Sequence, residues 1–289
     1  MYKTAVITDE ISQDVRRAAQ MAQQYKLDAI EIRSVSERNP FQMTREDALD
    51  IKRVADEFDL KICCAASPLF KIDYADMAAR EEHLSALKRT AEFMKIWGTD
   101  LIRGFSFMKN SSTQPTLEQV AESYLEPLRI AHGEGFTFVM ESEPHVTTTN
   151  FKILIDLLEM VNDPALMALY DPANEECDPL SLPAYPDGWA ALSPWIRHVH
   201  IKDILPKEKE FLPVMIGEGA VDFDGLIPFL KREFPGYCSV ETHYRIKEDL
   251  SHDSIVHPQG SAFSLGGEEA TRAYLERLDK KWRWRESAQ

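Results

Sequence analysis

The chain has 289 residues, 44% of them hydrophobic and 28% charged. That composition belongs to a folded globular protein and excludes disordered, collagen-like and small disulfide-scaffold classes. Its 33 Lys and Arg against 48 Asp and Glu leave a formal charge of −15, a field that repels phosphate backbones and anionic lipid heads, so neither nucleic acid nor membrane is expected as a partner.

Short apolar, β-branched runs closed by polar residues predict eight strands, at Thr4–Thr8, Ala29–Val35, Lys61–Ser67, Asp100–Phe107, Thr137–Glu141, Met167–Asp171, Arg197–Lys202 and Tyr237–Thr242. Helical periodicity fills the gaps, as in Ala48, Ile51, Ala55 and Phe58 or Leu154, Leu157, Leu158 and Val161. Ser12, Thr44, Thr116 and Asp222 are placed to cap helix starts, and Gly98 and Gly236 to end helices. Strand starts about 25 to 40 residues apart, with no linker between halves, predict a single (β/α)8 TIM-barrel domain over 1–289 rather than an open doubly wound sheet. No Gly-x-Gly-x-x-Gly and no P-loop pattern occurs, so nucleotide chemistry has no support.

Cys63, Cys64, Cys177 and Cys238 form no Cys-x-x-Cys and read as reduced, buried thiols. No apolar run approaches the roughly 18 residues of a membrane span, and no signal-peptide core follows Met1. A cytoplasmic location is expected. The segment from Arg245 to Gly267, with His252 and His257, is long enough for a lid, and the tryptophans of Trp282-Arg283-Trp284-Arg285 suggest a surface for a homodimer.

In a barrel of this kind the chemistry gathers at the carboxyl ends of the strands. Four late strands end Met140-Glu141-Ser142-Glu143-Pro144, Tyr170-Asp171-Pro172-Ala173-Asn174, His198-Val199-His200-Ile201-Lys202-Asp203 and Val240-Glu241-Thr242-His243. Converging carboxylates at buried strand ends repel one another unless a cation joins them. The oxygen and nitrogen donors suit Mn²⁺, Mg²⁺, Co²⁺ or Zn²⁺, and the lack of thiolate argues for an open site. Strand alternation puts Glu141 on one face with Glu143, and His200 with His198 and Lys202. The middle members Glu141 and His200 are assigned to the metal, Glu143 and Lys202 to the mouth, and His198 to deeper packing; Glu241 lies below His243. Arg33, Lys71, Arg103 and Lys202 near strand ends would suit a phosphate or a sugar carboxylate, unless each pairs with an acid such as Glu10, Glu31, Glu143 or Asp203. His83, His132 and His252 read as surface residues.

These strand ends, together with Gly217-Glu218-Gly219-Ala220-Val221-Asp222-Phe223, resemble the xylose-isomerase-like TIM-barrel superfamily of sugar phosphate isomerases and epimerases over nearly the whole chain. The resemblance implies metal ligands at Glu141, Asp171, His200 and Glu241, with Glu141 and Glu241 also acting as acid and base. It implies substrate-pocket segments at Asp9-Glu10-Ile11-Ser12-Gln13-Asp14, Glu31-Ile32-Arg33 and Ser67-Pro68-Leu69-Phe70-Lys71. Where ketose 3-epimerases of the superfamily carry a histidine, this chain has Asn174, a departure that bears on the substrate. The expected substrate binders are Glu10, Arg33, Lys71, Arg103, Glu143, Asn174, Lys202 and His243.

The function expected is a divalent-metal-dependent isomerase or epimerase acting on a sugar, sugar phosphate or sugar acid. The metal would acidify the C–H beside a carbonyl, and one glutamate would take the proton and the other return it, through a metal-stabilised cis-enediolate. A dehydratase of the inosose type shares the first step. An endonuclease IV-like repair enzyme is opposed by the charge and by histidines too scattered for three zinc ions. A non-catalytic sugar-binding barrel is opposed by the complete ligand set.

Overall fold

In the computed structural model, which describes residues 2–109, 112–178, 180, 183–207, 210–246 and 266–285, β1 (Lys3–Ile7) lies parallel between β2 (Ala29–Ile32) and β10 (Tyr237–Val240). From β10 the sheet continues through β7 (Ile196–Ile201), β6 (Leu166–Tyr170), β5 (Thr137–Glu141), β4 (Leu101–Gly104) and β3 (Lys61–Leu69) to β2, closing the barrel. All eight predicted strands are present, as a (β/α)8 TIM barrel. Some predicted ends overran, because apolar residues continue past the last ladder bonds: Val35, Phe105 and Phe107 are buried in the rim beyond β2 and β4.

Local chemistry explains the helix limits. Thr44 and Asp47 form a capping box at α2 (Arg45–Glu57), and Thr116 and Gln119 form another at α4 (Leu117–Ser123). Gly98 takes the left-handed conformation, φ +73°, that ends α3 (Met77–Trp97). Two expectations are corrected. The cap of α1 (Val15–Gln24) is Asp14, which accepts from the Arg16 amide, while the Ser12 hydroxyl accepts from the Asp14 amide one step earlier. The helix before β10, α9 (Phe223–Glu233), closes on Phe234, so Gly236 lies outside it.

The connection after β7 was not foreseen. Before α9 the chain folds an antiparallel hairpin, β8 (Asp203–Lys207) with β9 (Glu210–Val214). Its root is the buried Asp203 carboxylate, which accepts from the amides of Gly217 at 2.8 Å and Gly219 at 2.9 Å. A Cβ on Gly219 would fall 2.0 Å from Asp203 Oδ1, so the contact needs glycine there.

Inside the barrel, small and apolar side chains form a floor from Ala5, Ala29, Cys63, Cys64, Val139 and Leu169. Outside it, Trp282 and Trp284 pack against the chain's own side chains. Trp284 is buried against Tyr2 with ring centroids 4.7 Å apart, and the Tyr2 hydroxyl donates to the Trp284 carbonyl at 2.9 Å. Trp282 donates to Asp224 within the same chain. The tryptophans that suggested a dimer are thus used in closing the chain's own barrel. His252, His257 and most of the expected lid lie outside the described residues. Among the described residues no helix is long and apolar enough to cross a membrane.

Candidate active site

Period-two alternation carries each strand from the floor into a charged layer. Ala29 is followed on its face by Glu31 and Arg33, Val139 by Glu141 and Glu143, Leu169 by Asp171, His198 by His200 and Lys202, and Ser239 by Glu241 and His243. Because all eight strands are parallel, these charged ends meet at one opening of the barrel.

There Glu141, Asp171, His200 and Glu241 each offer one ligand atom, and the four atoms lie within 4.8 Å of one another, all buried. His200 Nδ1 stands 3.5 Å from Glu241 Oε2, 3.7 Å from Glu141 Oε1 and 3.9 Å from Asp171 Oδ2. Asp171 also begins a short helix, α7 (Pro172–Glu176), where its Oδ1 accepts from the amides of Ala173 and Asn174, leaving Oδ2 turned inward.

Each acid is held by a donor from elsewhere in the barrel. Glu141 accepts from Arg103 at 3.1 Å and from the Asn174 amide at 2.9 Å. Glu241 accepts from Arg33 at 2.6 Å and from Lys202 at 2.7 Å. Lys202 Nζ is also 2.7 Å from Asp171 Oδ2, off the angle of a hydrogen bond. Arg33 in turn is gripped by Glu10 at 2.6 Å and Asp9 at 3.1 Å.

The donor set fits a divalent cation. His200 Nδ1, which belongs to the cluster, is buried without a hydrogen-bond partner; a buried polar atom left so costs free energy that a cation would recover. The titration tendencies agree. Burial, with Glu241 and Glu141 nearby, pushes the Asp171 carboxyl above its usual range despite Lys202. Burial opposes the charged form of His200, yet Glu31 and Glu241 raise its imidazole well above the usual value. At Glu141 burial is outweighed by Arg103 and His200, which hold the carboxyl down at about 2. Lys202, His243 and His200 likewise hold Glu241 well below its usual range.

The predicted site residues converge, with changes of place. Lys202 is not at the rim; only 4% exposed, it lies between Asp171 and Glu241. Glu143 does stand near the mouth, accepting from the half-exposed Lys71 at 2.7 Å. Glu10 is wholly buried and serves Arg33, Arg245 and the His243 amide. His83 is half-buried and accepts from the Phe70 amide, whereas His132 is exposed beside Asp163. Sequence reasoning placed Glu31 in a substrate-pocket segment and named it as a possible partner for a basic side chain, and it missed the role the structure gives this residue. Its partners are His198 and His200. Its place two residues above Ala29 on an inward face was the available signal.

A profile described as "Xylose isomerase-like TIM barrel" matches residues 19–277. The chain belongs to the xylose isomerase-like TIM-barrel family. A search of curated proteins gave no match. Among solved structures of similar fold is an "IOLI protein with a binding zinc atom", 18% identical with a TM-score of 0.73, the match covering 96% of this chain and 97% of that one. D-allulose 3-epimerase from Methylomonas sp. is 16% identical, with a TM-score of 0.72 over 96% and 97% of the two chains. The probable 3-DHS dehydratase AsbF from Bacillus anthracis is 17% identical, with a TM-score of 0.70 over 96% and 99%. These likenesses establish a shared family fold.

Proposed function

We propose that the protein is a divalent-metal-dependent isomerase or epimerase of an uncharged carbohydrate. The observation that carries this reading is the buried convergence of Glu141, Asp171, His200 and Glu241 with an unclaimed imidazole nitrogen at its centre. A zinc-binding protein and a D-allulose 3-epimerase among the structures of similar fold support it. When bound, the cation would polarise a substrate carbonyl and stabilise negative charge on its oxygen.

The chain's own residues supply the rest. Arg103 and Asn174 orient Glu141, and Arg33 and Lys202 orient Glu241, so both start as carboxylates able to take a proton from the carbon beside the carbonyl. Glu143 Oε1, buried and without a hydrogen-bond partner, can accept from a sugar hydroxyl. The pairing of the cations supports an uncharged substrate. Arg33, Lys71, Arg103, Lys202 and Arg245 each already face a carboxylate, which removes the case for a phosphate or sugar-acid pocket built from these residues. The overall charge of −15 argues equally against DNA as a substrate.

A dehydratase is the second reading. The Lys202 ammonium beside Asp171 and Glu241 favours it, since a departing hydroxyl needs a hydrogen-bond donor close to the base. One experiment tests both: metal analysis of the purified protein, followed by incubation of Mn²⁺- or Zn²⁺-loaded protein in deuterium oxide with neutral and phosphorylated ketoses, inososes and sugar acids. Deuterium entering a neutral ketose supports the first reading. Loss of water with an absorbing enone product supports the second. No exchange into any of them overturns both.

A further inference from the structure

We propose that Glu31 is the positioning residue of the metal centre, a carboxylate reaching across the barrel to fix His200 with its Nδ1 toward the cluster. The proposal rests on the metal-site reading above. Glu31 sits at the end of β2, and His198 and His200 sit on β7, with β1 and β10 between those strands in the barrel order. The contacts therefore cross the interior rather than follow the sheet.

Glu31 Oε2 is 2.8 Å from His198 Nε2 and Oε1 is 3.2 Å from His200 Nε2, and all three side chains are fully buried. A carboxylate only accepts, so each imidazole donates from Nε2. In its neutral form His200 then keeps its lone pair on Nδ1, which points at Glu141, Asp171 and Glu241 and has no hydrogen-bond partner. A single imidazole would leave the carboxylate free to swing about its bond to Cγ. The second, His198, occupies the other oxygen with its ring at 80° to that of His200. Beneath the trio lies the floor, in which the Cys63 thiol donates to the Ile30 carbonyl at 3.4 Å rather than to Glu31. Carboxylates that hold a ligating histidine by its other nitrogen commonly change metal affinity by about 10- to 100-fold when removed.

The test is calorimetric titration of Zn²⁺ into the full chain and its Glu31→Gln, His198→Gln and Asp171→Asn variants, with ring ¹⁵N spectra of histidine-labelled protein before and after loading. The wild type should bind one ion per chain through His200 Nδ1. Glu31→Gln, isosteric but with an amide donor facing one imidazole, should still bind one ion, weakened about 10- to 100-fold. Its metal-free spectrum should show mixed His200 tautomers. His198→Gln should weaken binding less, and it carries the test if Glu31→Gln does not fold. Zn²⁺ affinity within about twofold of wild type in both variants, with Asp171→Asn weakened, would overturn the positioning role and leave the metal site standing. Absence of Zn²⁺ binding by the wild type would overturn both. Two ions in the wild type, one of them lost in Glu31→Gln, would make Glu31 a ligand and overturn the proposal.

Discussion

Lys202 Nζ stands 2.7 Å from Glu241 Oε2 and 2.7 Å from Asp171 Oδ2, a buried ammonium touching two of the four candidate ligands. It neutralises the acids, and it repels an incoming cation. Lys202→Met should therefore bind Mn²⁺ more tightly, by about tenfold or more, since a unit charge at this range is worth several kcal/mol at the effective dielectric of about 20 found in proteins. Turnover should fall in the same variant, because Glu241 loses the donor that orients it. Calorimetry and a solvent-exchange assay on one preparation check the two directions, and weaker Mn²⁺ binding would contradict the assignment.

Glu141→Gln and Glu241→Gln should each reduce solvent exchange by about 10² to 10⁴, the usual worth of a placed acid or base. Both changes keep shape, so thermal unfolding of the metal-free proteins should move by only a few degrees. Near-wild-type exchange in both variants would show that the proton passes through other groups.

Chelation gives a test independent of substrate. A ligand at about 100 times its Kd stabilises the folded state by about 2.7 kcal/mol, and a chain of this size gains roughly 2–4 °C per kcal/mol. Adding Zn²⁺ to the EDTA-treated protein should raise its Tm by roughly 5 to 10 °C, and Asp171→Asn should lose most of that rise. Scanning calorimetry reads it directly.

Acid stability reports on the Arg33 network. Burial pushes the Glu10 carboxyl up, but Arg33, His243 and Arg245 outweigh it and hold the group at about 2, below its ordinary 4.5. A folded-state pKa below the unfolded one gives stability that is present above about pH 4.5 and lost as the pH falls toward 2. Asp9 runs the other way: burial lifts it to about 6, so its contribution is lost as the pH rises through that value. Glu10→Gln should flatten the fall of stability between about pH 4.5 and 2, measured by urea unfolding at fixed pH values. An unchanged slope would mean that the ion pairs to Glu10 do not persist in solution.

Much of the candidate ligand cluster was legible in the sequence because one simple period and barrel closure bring it together. Strand alternation says which residues share a face with Val139 or Leu169, and a closed parallel sheet sends every such face to one opening. Alternation singled out Glu141 and His200, while Asp171 and Glu241 joined them as ligands through the family resemblance of the strand ends. What alternation cannot give is which residues meet across the interior. Glu31 and His198 lie 167 positions apart and on non-adjacent strands, so their contact depends on barrel closure and strand stagger. Lys202 was misplaced for a related reason: alternation gives its face, but its long stem folds back toward Asp171. The hairpin at 203–214 contains Pro206 and Pro213, residues that argue against strand pairing, and its antiparallel pair is isolated from the barrel where proline is tolerated.

The floor of Ala5, Ala29, Cys63, Cys64, Val139 and Leu169 makes the barrel a blind well. On the proposed function, an ion and a sugar would enter from the end opposite this floor, with the ion held the deeper of the two. The expected order of arrival is then metal before carbohydrate, with departure in reverse. A sugar in residence is a stopper, so saturating substrate should slow the exchange of the ion beneath it with chelator.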